Sequence, residues 1–549
     1  MVERASKPWL SLIVLCLGTF AILLDATIVN VAIPSMITDL HASLDQAVWV
    51  INAYLLVFAA LLIVASRLGD IFGPRQLFVA GLALFAVASA LCGAAQTPAQ
   101  LIAARVLQGV GAAALAPQGM VVIQAIFARE RMGAAFGIFT SMVGLAAVAG
   151  PTVGGVLTTF LSWRWVFYVN LPIAAAGIVL AYVYVPDVRT GRRHGLDPVG
   201  VALATLGLSA VVYGLIEGQR YSWGEVTHAI TIPEIIVAGL AALAGFVFWE
   251  RRHRDPLVPP RLFRSRTFSI MVVLNVVVQF ALFSMMLVNS INLQSVLGMT
   301  AVHSGLTVLP LTVALTAFAP FAGRLTDRFG GKYVLMTGLA VYAAGIAGVV
   351  AVSSTHATSL TFAPVLLVAG LGMGAIFAPL ATEAMRAAPP RLAGAASGVL
   401  NTGRQLGAVL GAAVTGAVLA NRLTAAMSAR AVTAAAALPG AARPGFTGGF
   451  THAASSGLQV GRGQAGAHVP AGTPPALLSV IHRLIRDVFA HGYIAAMRPT
   501  LAVSVAVLLA GATSCLLLRR RPAAATDRTG GGHADQAAEA TQTVAVTAD

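Results

Sequence analysis

Two short stretches of the 549-residue chain resemble each other: SRLGDIFGPR at 66–75 and GRLTDRFGGK at 323–332. Both contain an Arg-Leu pair, an aspartate and a Phe-Gly pair, and each ends on a basic residue. Each copy follows an apolar stretch long enough to cross a membrane. A single decapeptide is weak evidence, but its recurrence in the second part of the chain predicts two structurally related halves.

The composition predicts a protein that lies in lipid. The residues are 58% hydrophobic and only 10% charged, and the mean hydropathy is +0.83. A soluble domain has too little interior to bury that fraction of apolar residues. About fourteen apolar spans are each long enough to cross the hydrocarbon core. We therefore expect an all-α, multi-pass membrane protein.

The two copies of the repeat fix how the spans divide. The first copy follows the second span and the second copy follows the tenth. The second half therefore begins at the ninth span, and two extra helices lie between two six-helix bundles. Repeated halves of this kind are typical of secondary transporters.

The expected domain limits follow from this division. We expect an N-terminal six-helix bundle at 1–190, two inserted helices with an inner linker at 191–266, and a C-terminal six-helix bundle at 267–521. The second bundle includes a long outer loop at 421–498, where ALLSVIHRLIRDVF (476–489) predicts a short helix on the outer membrane face. The tail at 522–549 is expected to be disordered.

The basic residues indicate orientation rather than nucleic-acid binding. The net charge is +15, and 24 of the 35 lysines and arginines fall in the termini and short loops of one face. The short loops of the other face hold only Arg164 and Arg220. By the positive-inside rule both termini are expected in the cytoplasm. The basic clusters would meet lipid headgroups, and nucleic acid is not an expected partner.

Two charged side chains lie deep within predicted spans. Asp25, in AILLDATIVNVAIP (21–34), is about 13 Å below the outer end of the first span, and Arg105 is about 10 Å below the outer end of the fourth. We expect the two to share one cavity, directly or through water. Intramembrane charges mark ion or proton pathways. Burial opposes ionisation of a carboxyl group and a nearby arginine favours it, so Asp25 is suited to exchange a proton. The alternative is an ion pair that only fixes helix packing.

The repeated inner loop is predicted to act as a gate. Gly73 allows a tight turn, Asp70 is placed to cap a neighbouring helix, and Arg75 to pair with an acid or a lipid phosphate. The equivalent residues of the second copy are Asp327, Gly330 and Lys332.

Small residues recur every four positions around AVAGPTVGGV (147–156) in the fifth span. Such stripes let another helix approach closely, and a proline bends the helix. Ordinary small-residue packing is the alternative. The two stripes are Ala146, Gly150 and Gly154, and Ala147, Pro151 and Gly155.

Several polar or flexible side chains within the spans are candidates for lining a cavity. Methionine suits such a surface because it adapts to varied ligands. Polar contacts that only pack helices are an equally good reading. The candidates are Asn30, Gln108, Asn275, Gln279, Met286 and Arg404.

These stretches together resemble the fourteen-helix drug:proton antiporter branch of the major facilitator superfamily, the QacA/EmrB-like group. The resemblance covers about residues 9–420 and the last span. Its motifs are LDATIVNVAIP (24–34), RLGDIFGPR (67–75), LIAARVLQGVGAA (101–113), AVAGPTVGG (147–155) and WRWVFYVNLP (163–172). Ser66, Pro74 and Ala146 depart from the residues usual at their motif positions.

The resemblance implies export of drugs, antibiotics or other amphipathic compounds in exchange for protons, with Arg105 at the position associated with coupling. We expect a monomer in the bacterial cytoplasmic membrane, driven by the proton gradient without a cofactor. The three cysteines lie in spans, without metal or disulfide spacing. An importer or symporter of a small metabolite on the same fold is the alternative. A membrane-embedded enzyme lacks a catalytic cluster here, and no phosphate-binding GxxxxGK[ST] motif occurs.

Overall fold

The structure, a computed structural model, describes residues 7–188, 195, 197–218, 220–221, 223–227, 230–436, 438–440, 443–444, 446–448 and 475–518. Within these residues, fourteen helices are long and apolar enough to cross a membrane. The number of spans expected from the sequence is therefore confirmed.

The helices of the first half are α1 Pro8–Asp39, α2 Leu44–Phe72, α3 Pro74–Ala94, α4 Pro98–Ile126, α5 Met132–Phe160, α6 Trp165–Tyr168 and α7 Asn170–Tyr184. The short α6 and α7 together form one span. The inserted pair is α8 Pro198–Glu217 and α9 Ile232–Arg252, with an antiparallel hairpin of β1 Glu225–Thr227 and β2 Ile230–Thr231 between them. The second half comprises α10 Arg266–Ile291, α11 Ala301–Phe329, α12 Gly331–Val352, α13 Ser359–Ala387, α14 Ala393–Ala435 and α15 Pro475–Ser514.

The helices assemble as two six-span bundles with an extra pair, as predicted. Helices α1 to α7 pack among themselves, as do α10 to α15. The inserted α8 and α9 pack closely against each other, since Gly207 and Gly239 face one another across their contact. Helix α8 also lies along α2 and α14. The inserted pair is thus a peripheral layer at the side where the two halves adjoin.

The turn within each repeated loop depends on a glycine. Gly73 joins α2 to α3 with a φ of 98°, and Gly330 joins α11 to α12 with a φ of 83°. Residues other than glycine rarely adopt such angles. In each case the glycine ends one helix and starts the next without an intervening loop. We call the face that carries these two turns the inner face, after the excess of basic residues there.

Helices cover both ends of the range 421–498, which the sequence predicted to be a long outer loop. Helix α14 continues to Ala435, and α15 already begins at Pro475. The predicted separate helix is the first part of α15, and its side chains at Ile481, Ile485 and Val488 are buried. They belong to the same apolar cluster as Met427 of α14. The apolar positions therefore pair two helical extensions instead of facing a membrane surface, and the middle of the loop lies outside the described residues.

Candidate functional site

Asp25 and Arg105 form a buried ion pair. The Nη1 atom of Arg105 lies 2.5 Å from Oδ2 of Asp25, and the side chains are 0% and 1% exposed respectively. The depths counted along α1 and α4 thus lead to direct contact. Removing one partner from such a pair leaves an uncompensated buried charge, which costs about 3–5 kcal/mol.

Asp25 accepts two further hydrogen bonds, both at Oδ1. Gln108 donates from Nε2 over 2.8 Å and Asn170 donates from Nδ2 over 3.1 Å. Both amides also donate to the hydroxyl of Ser89, over 2.8 and 3.4 Å. The carboxylate therefore has three side-chain donors, from α4 and α7. Gln108, expected to line a cavity, is buried within this network.

Arg105 has partners besides Asp25. Its Nε donates to the carbonyl of Val50 over 2.9 Å, and its Nη1 donates to Oε1 of Gln108 over 2.6 Å. The guanidinium lies 4.2 Å from the centre of the Tyr54 ring, a favourable cation–π distance. These three contacts of Arg105 do not involve Asp25.

Three residues of this network were not predicted from the sequence: Ser89, Tyr54 and Asn170. All three are essentially buried. Asn170 lies in the quoted stretch WRWVFYVNLP, where a polar residue beside a run of apolar ones was a usable signal. Ser89 and Tyr54 are common residues in apolar helices, and their roles follow only from how α2, α3 and α4 come together.

The inner loop of the second half contacts the first half. Asp327 accepts hydrogen bonds from the backbone amides of Gly133 and Ala134, over 2.8 and 2.9 Å, at the start of α5. It also pairs with Arg386 over 2.6 Å. An acid at a helix N-terminus satisfies amides that have no partner within the helix. Arg386 further donates to the backbone carbonyl of Arg129.

The inner loop of the first half makes the corresponding contact with the second half. Its Asp70 carboxylate lies against Gly394 in the first turn of α14. The basic residues that end the two repeats also make similar contacts. Arg75 donates to the carbonyl of Val185, just after α7, over 3.4 Å. Lys332 donates to the carbonyls of Leu516 and Leu518, after α15, over 3.0 and 2.9 Å. The repeat in sequence is thus a repeat in contacts. Arg75 also approaches Asp187, at 3.8 Å.

The first small-residue stripe of α5 lies against α1. Gly150 faces Thr27 and Gly154 faces Ile28, closely enough that an added Cβ would overlap either neighbour. The Thr27 hydroxyl donates to the carbonyl of Ala146 over 3.2 Å. Gly155 of the second stripe has no described atom within 4 Å of an added Cβ. The side chain of Pro151 lies outside the described part of the chain.

A different glycine stripe of α5, which sequence reasoning missed, contacts the second half. Gly133 and Gly323 meet backbone to backbone, and Gly137 meets Ala319. Gly144 faces Thr316 further along α11. With the aspartate contacts above, these close approaches hold α5 against α11.

The remaining candidate cavity residues separate into different environments. Asn30 is exposed, and among the described residues its side chain bonds only the carbonyl of Ala26 within α1. Asn275 donates to the Leu400 carbonyl over 2.6 Å, so it packs α10 on α14 instead of facing open space. Gln279 is 6% exposed beside Gly407 of α14. Met286 and Arg404 are partly exposed, and Arg404 does not contact Asp25.

The described hydrogen bonds between the two halves cluster at the inner ends of the helices. Besides the Asp327 contacts, Gln124 donates to the Met385 carbonyl over 2.6 Å, and Ser397 donates to the Pro117 carbonyl over 2.7 Å. This arrangement is a conformation closed at the inner face. The fully buried Asp25–Arg105 pair of the first half thus accompanies an interface between the halves that is closed at the inner face.

Comparison with known proteins agrees with this architecture. Residues 15–412 match the sequence profile of the Major Facilitator Superfamily. The chain is 36% identical over 412 residues to the tetracenomycin C resistance and export protein of Streptomyces glaucescens, covering 74% of this chain and 75% of that protein. It is 35% identical over 412 residues to the puromycin resistance protein pur8 of Streptomyces alboniger, covering 74% and 81%.

A solved structure shares the fold. The proton:xylose symporter XylE superposes with a TM-score of 0.53 at 13% sequence identity, covering 75% of this chain and 88% of that one. At that identity the likeness concerns the fold alone. The family match covers more than half of the sequence and the bacterial relatives exceed 30% identity. This chain is therefore a multi-pass membrane transporter, not an enzyme, and it belongs to the major facilitator superfamily.

Proposed function

We propose that the protein exports amphipathic organic compounds, antibiotics among them, across the bacterial cytoplasmic membrane in exchange for protons. The relatives named for tetracenomycin C and puromycin support the substrate class. The fully buried Asp25–Arg105 pair is the observation that supports proton coupling. We place both termini on the cytoplasmic side, from the distribution of basic residues, and propose that the protein works as a monomer.

The coupling group is Asp25. A proton that neutralises the carboxylate removes its attraction for Arg105, while Arg105 keeps the Val50 carbonyl, the Gln108 carbonyl and the Tyr54 ring. Contacts among α1, α2 and α4 therefore rearrange at small cost to the arginine. A reversible proton switch alternates between two arrangements, and here each arrangement leaves Arg105 with partners.

A route from this pair to the inner face runs through α5. Thr27, two residues from Asp25, bonds the Ala146 carbonyl, and Gly150 lies directly against it. A shift of α1 therefore acts on α5, whose inner end is held by Asp327 of the second half. Protonation of Asp25 is thus linked mechanically to the interface that must open for loading from the cytoplasm.

The proposed cycle has two half-reactions. In the present conformation, closed at the inner face, a proton from outside neutralises Asp25 and the bound compound leaves outward. The halves then separate at the inner face, the proton is released to the cytoplasm and a new compound binds. A substrate importer on the same fold would use the same elements in the other direction, so transport direction is the decisive measurement.

Proteoliposomes test the proposal. With the protein oriented so that its outer face lines an acidic lumen, we expect gradient-driven uptake of tetracenomycin C or puromycin, abolished by collapsing the gradient with nigericin. Asp25→Asn should lose this uptake but retain exchange of labelled for unlabelled compound without a gradient. The matched control is Asp39→Asn, an acid on the same helix that is half exposed and pairs with Arg164.

Two results would contradict the proposal. Full gradient-driven uptake by Asp25→Asn would remove Asp25 from the coupling role. No gradient-driven uptake of either compound by the wild type, with the protein correctly inserted, would contradict antibiotic export.

A further inference from the structure

Arg404 is a cation within a span that lacks an acidic partner. It lies about three turns into α14, roughly 17 Å along the axis from the first residue, Ala393. Within the described part of the chain it forms no ion pair and no hydrogen bond. Arg105, the other arginine deep within a span, has both Asp25 and a set of hydrogen bonds. The two arginines are therefore not equivalent.

Helical spacing places Arg404 on the side of α14 that faces the first half. Ser397 and Asn401 precede it by seven and three residues, which puts all three on one face of the helix. Ser397 bonds the carbonyl of Pro117 in α4, and Asn401 approaches the sulfur of Met120 in α4. Arg404 follows one turn further toward the outer side. Its partial exposure at this depth means that it borders open space between the halves.

A buried residue of the first half lies close to Arg404. Tyr54 of α2 is within electrostatic range of Arg404 and of the Asp25–Arg105 pair. Its hydroxyl is buried and has no hydrogen-bond partner among the described residues. An unpaired guanidinium and an unpaired hydroxyl from opposite halves thus lie near each other. Unsatisfied polar groups in a low-dielectric interior are costly, so they indicate a ligand that completes them.

We propose that Arg404 binds an acidic group, a carboxylate or an ionised phenol, on those exported compounds that carry one. This rests on the export proposed above and specifies the substrate class. A guanidinium holds a carboxylate through two parallel hydrogen bonds and also stacks on aromatic rings. The Tyr54 hydroxyl supplies a further donor from the other half, and the thioether of Met120 offers an adaptable apolar neighbour for the body of the molecule.

Three probes that share one ring system test the proposal at equilibrium, without any gradient. They are anthracene-2-carboxylate, its methyl ester and anthracen-2-ylmethylammonium. Fluorescence anisotropy measures their binding to the purified protein in lipid nanodiscs, with empty nanodiscs as the background. We expect the wild type to bind the carboxylate about tenfold more tightly than the ester, since one charge-assisted hydrogen bond contributes that much. The ammonium should bind weakest.

Substitutions then test whether Arg404 is the source of the preference for the carboxylate probe. Arg404→Gln should weaken carboxylate binding about tenfold and leave ester binding unchanged, whereas Arg404→Lys should retain most of the preference. Arg422→Gln, an exposed arginine of the same helix, is the matched control and should leave all three affinities unchanged. Unchanged ester affinity also reports that the variant is folded.

The proposal fails if Arg404→Gln keeps the wild-type carboxylate preference, or if the wild type binds the ammonium as tightly as the carboxylate. The second comparison needs no variant, so it holds even where a substitution prevents folding. Neither failure touches proton coupling, which the Asp25→Asn transport assay decides separately. Conversely, if the wild type shows no gradient-driven transport, export is refuted, and the preference of Arg404 for the carboxylate probe is decided by the binding measurements alone.

Discussion

The contact between Gly133 and Gly323 gives a sharp test of how the inner face closes. A Cβ added at Gly133 would overlap the Gly323 carbonyl and the Asp327 carboxylate at once. One of these neighbours is backbone, so the overlap cannot be relieved by rotating a side chain. We therefore expect Gly133→Ala to push α5 away from α11 and to favour the conformation that is open at the inner face.

The size of the effect follows from the two contacts. Overpacking by one methyl group costs about 1–3 kcal/mol. Displacing Asp327 weakens its two backbone hydrogen bonds, which contribute about 1 kcal/mol or more each. Both penalties fall only on the closed conformation. A change of about 2 kcal/mol alters the ratio of the two conformations about thirtyfold.

Distances between spin labels measure that ratio. Glu130→Cys and Arg391→Cys place labels on exposed positions of opposite halves at the inner face. The native Cys16, Cys92 and Cys515 are buried, which limits background labelling. The double-cysteine protein should show mainly the shorter distance, and the same protein carrying Gly133→Ala should show mainly the longer one.

Gly155→Ala is the matched control, since Gly155 lies in the same helix and an added Cβ there has no described neighbour within 4 Å. Its distance distribution should equal that of the parent protein. If Gly133→Ala also leaves the distribution unchanged, the glycine contact does not govern closure, and the reasoning is refuted.

Two further predictions concern other parts of the molecule. Asn170→Ala removes one donor from the fully buried Asp25 carboxylate and should lower the stability of the protein by about 1.5–3 kcal/mol, measured as the melting temperature in detergent. Asn30→Ala removes only an amide bonded within α1 and should leave the melting temperature unchanged. Equal melting temperatures for the two variants would show that the Asn170 bond adds no stability. Gly330→Ala places a side chain at a φ of 83° and should lower the stability of the protein by about 1–2 kcal/mol, measured as the melting temperature in detergent. Gly305→Ala is the control, since Gly305 lies within α11 and an added Cβ there has no described neighbour within 4 Å. Equal melting temperatures for the two variants would show that the turn at Gly330 is unstrained.

The sequence predicted the broad architecture well because lipid imposes a strong and regular pattern. Apolar length sets the number of spans, and a repeated loop locates the halves. Asp25 and Arg105 could be paired from depth alone, since helices have a fixed rise and both charges needed a partner. The pairing depended on counting from one surface and not on any local motif.

What the sequence left unpredicted depends on which faces of the helices meet. The stripe of Gly133, Gly137 and Gly144 resembles any other set of small residues until α11 is seen against it. Ser89 and Tyr54 lack a distinctive local pattern. In the outer loop, apolar residues at helical spacing fit a membrane surface and a partner helix equally well, and only the extended α14 distinguishes them.

The hairpin of β1 and β2 lies outside the spans and is a position where a reporter domain can be inserted. It joins the inserted helices at the outer face, where Glu217 accepts a hydrogen bond from Asn52 of α2 over 3.4 Å and pairs with Arg220 over 3.0 Å. At the other end of the pair, Arg67 holds Asp255 over 2.6 Å. An epitope or rigid fiducial domain inserted in this hairpin would therefore report the orientation of the first half, leaving the path between the halves clear for imaging during turnover.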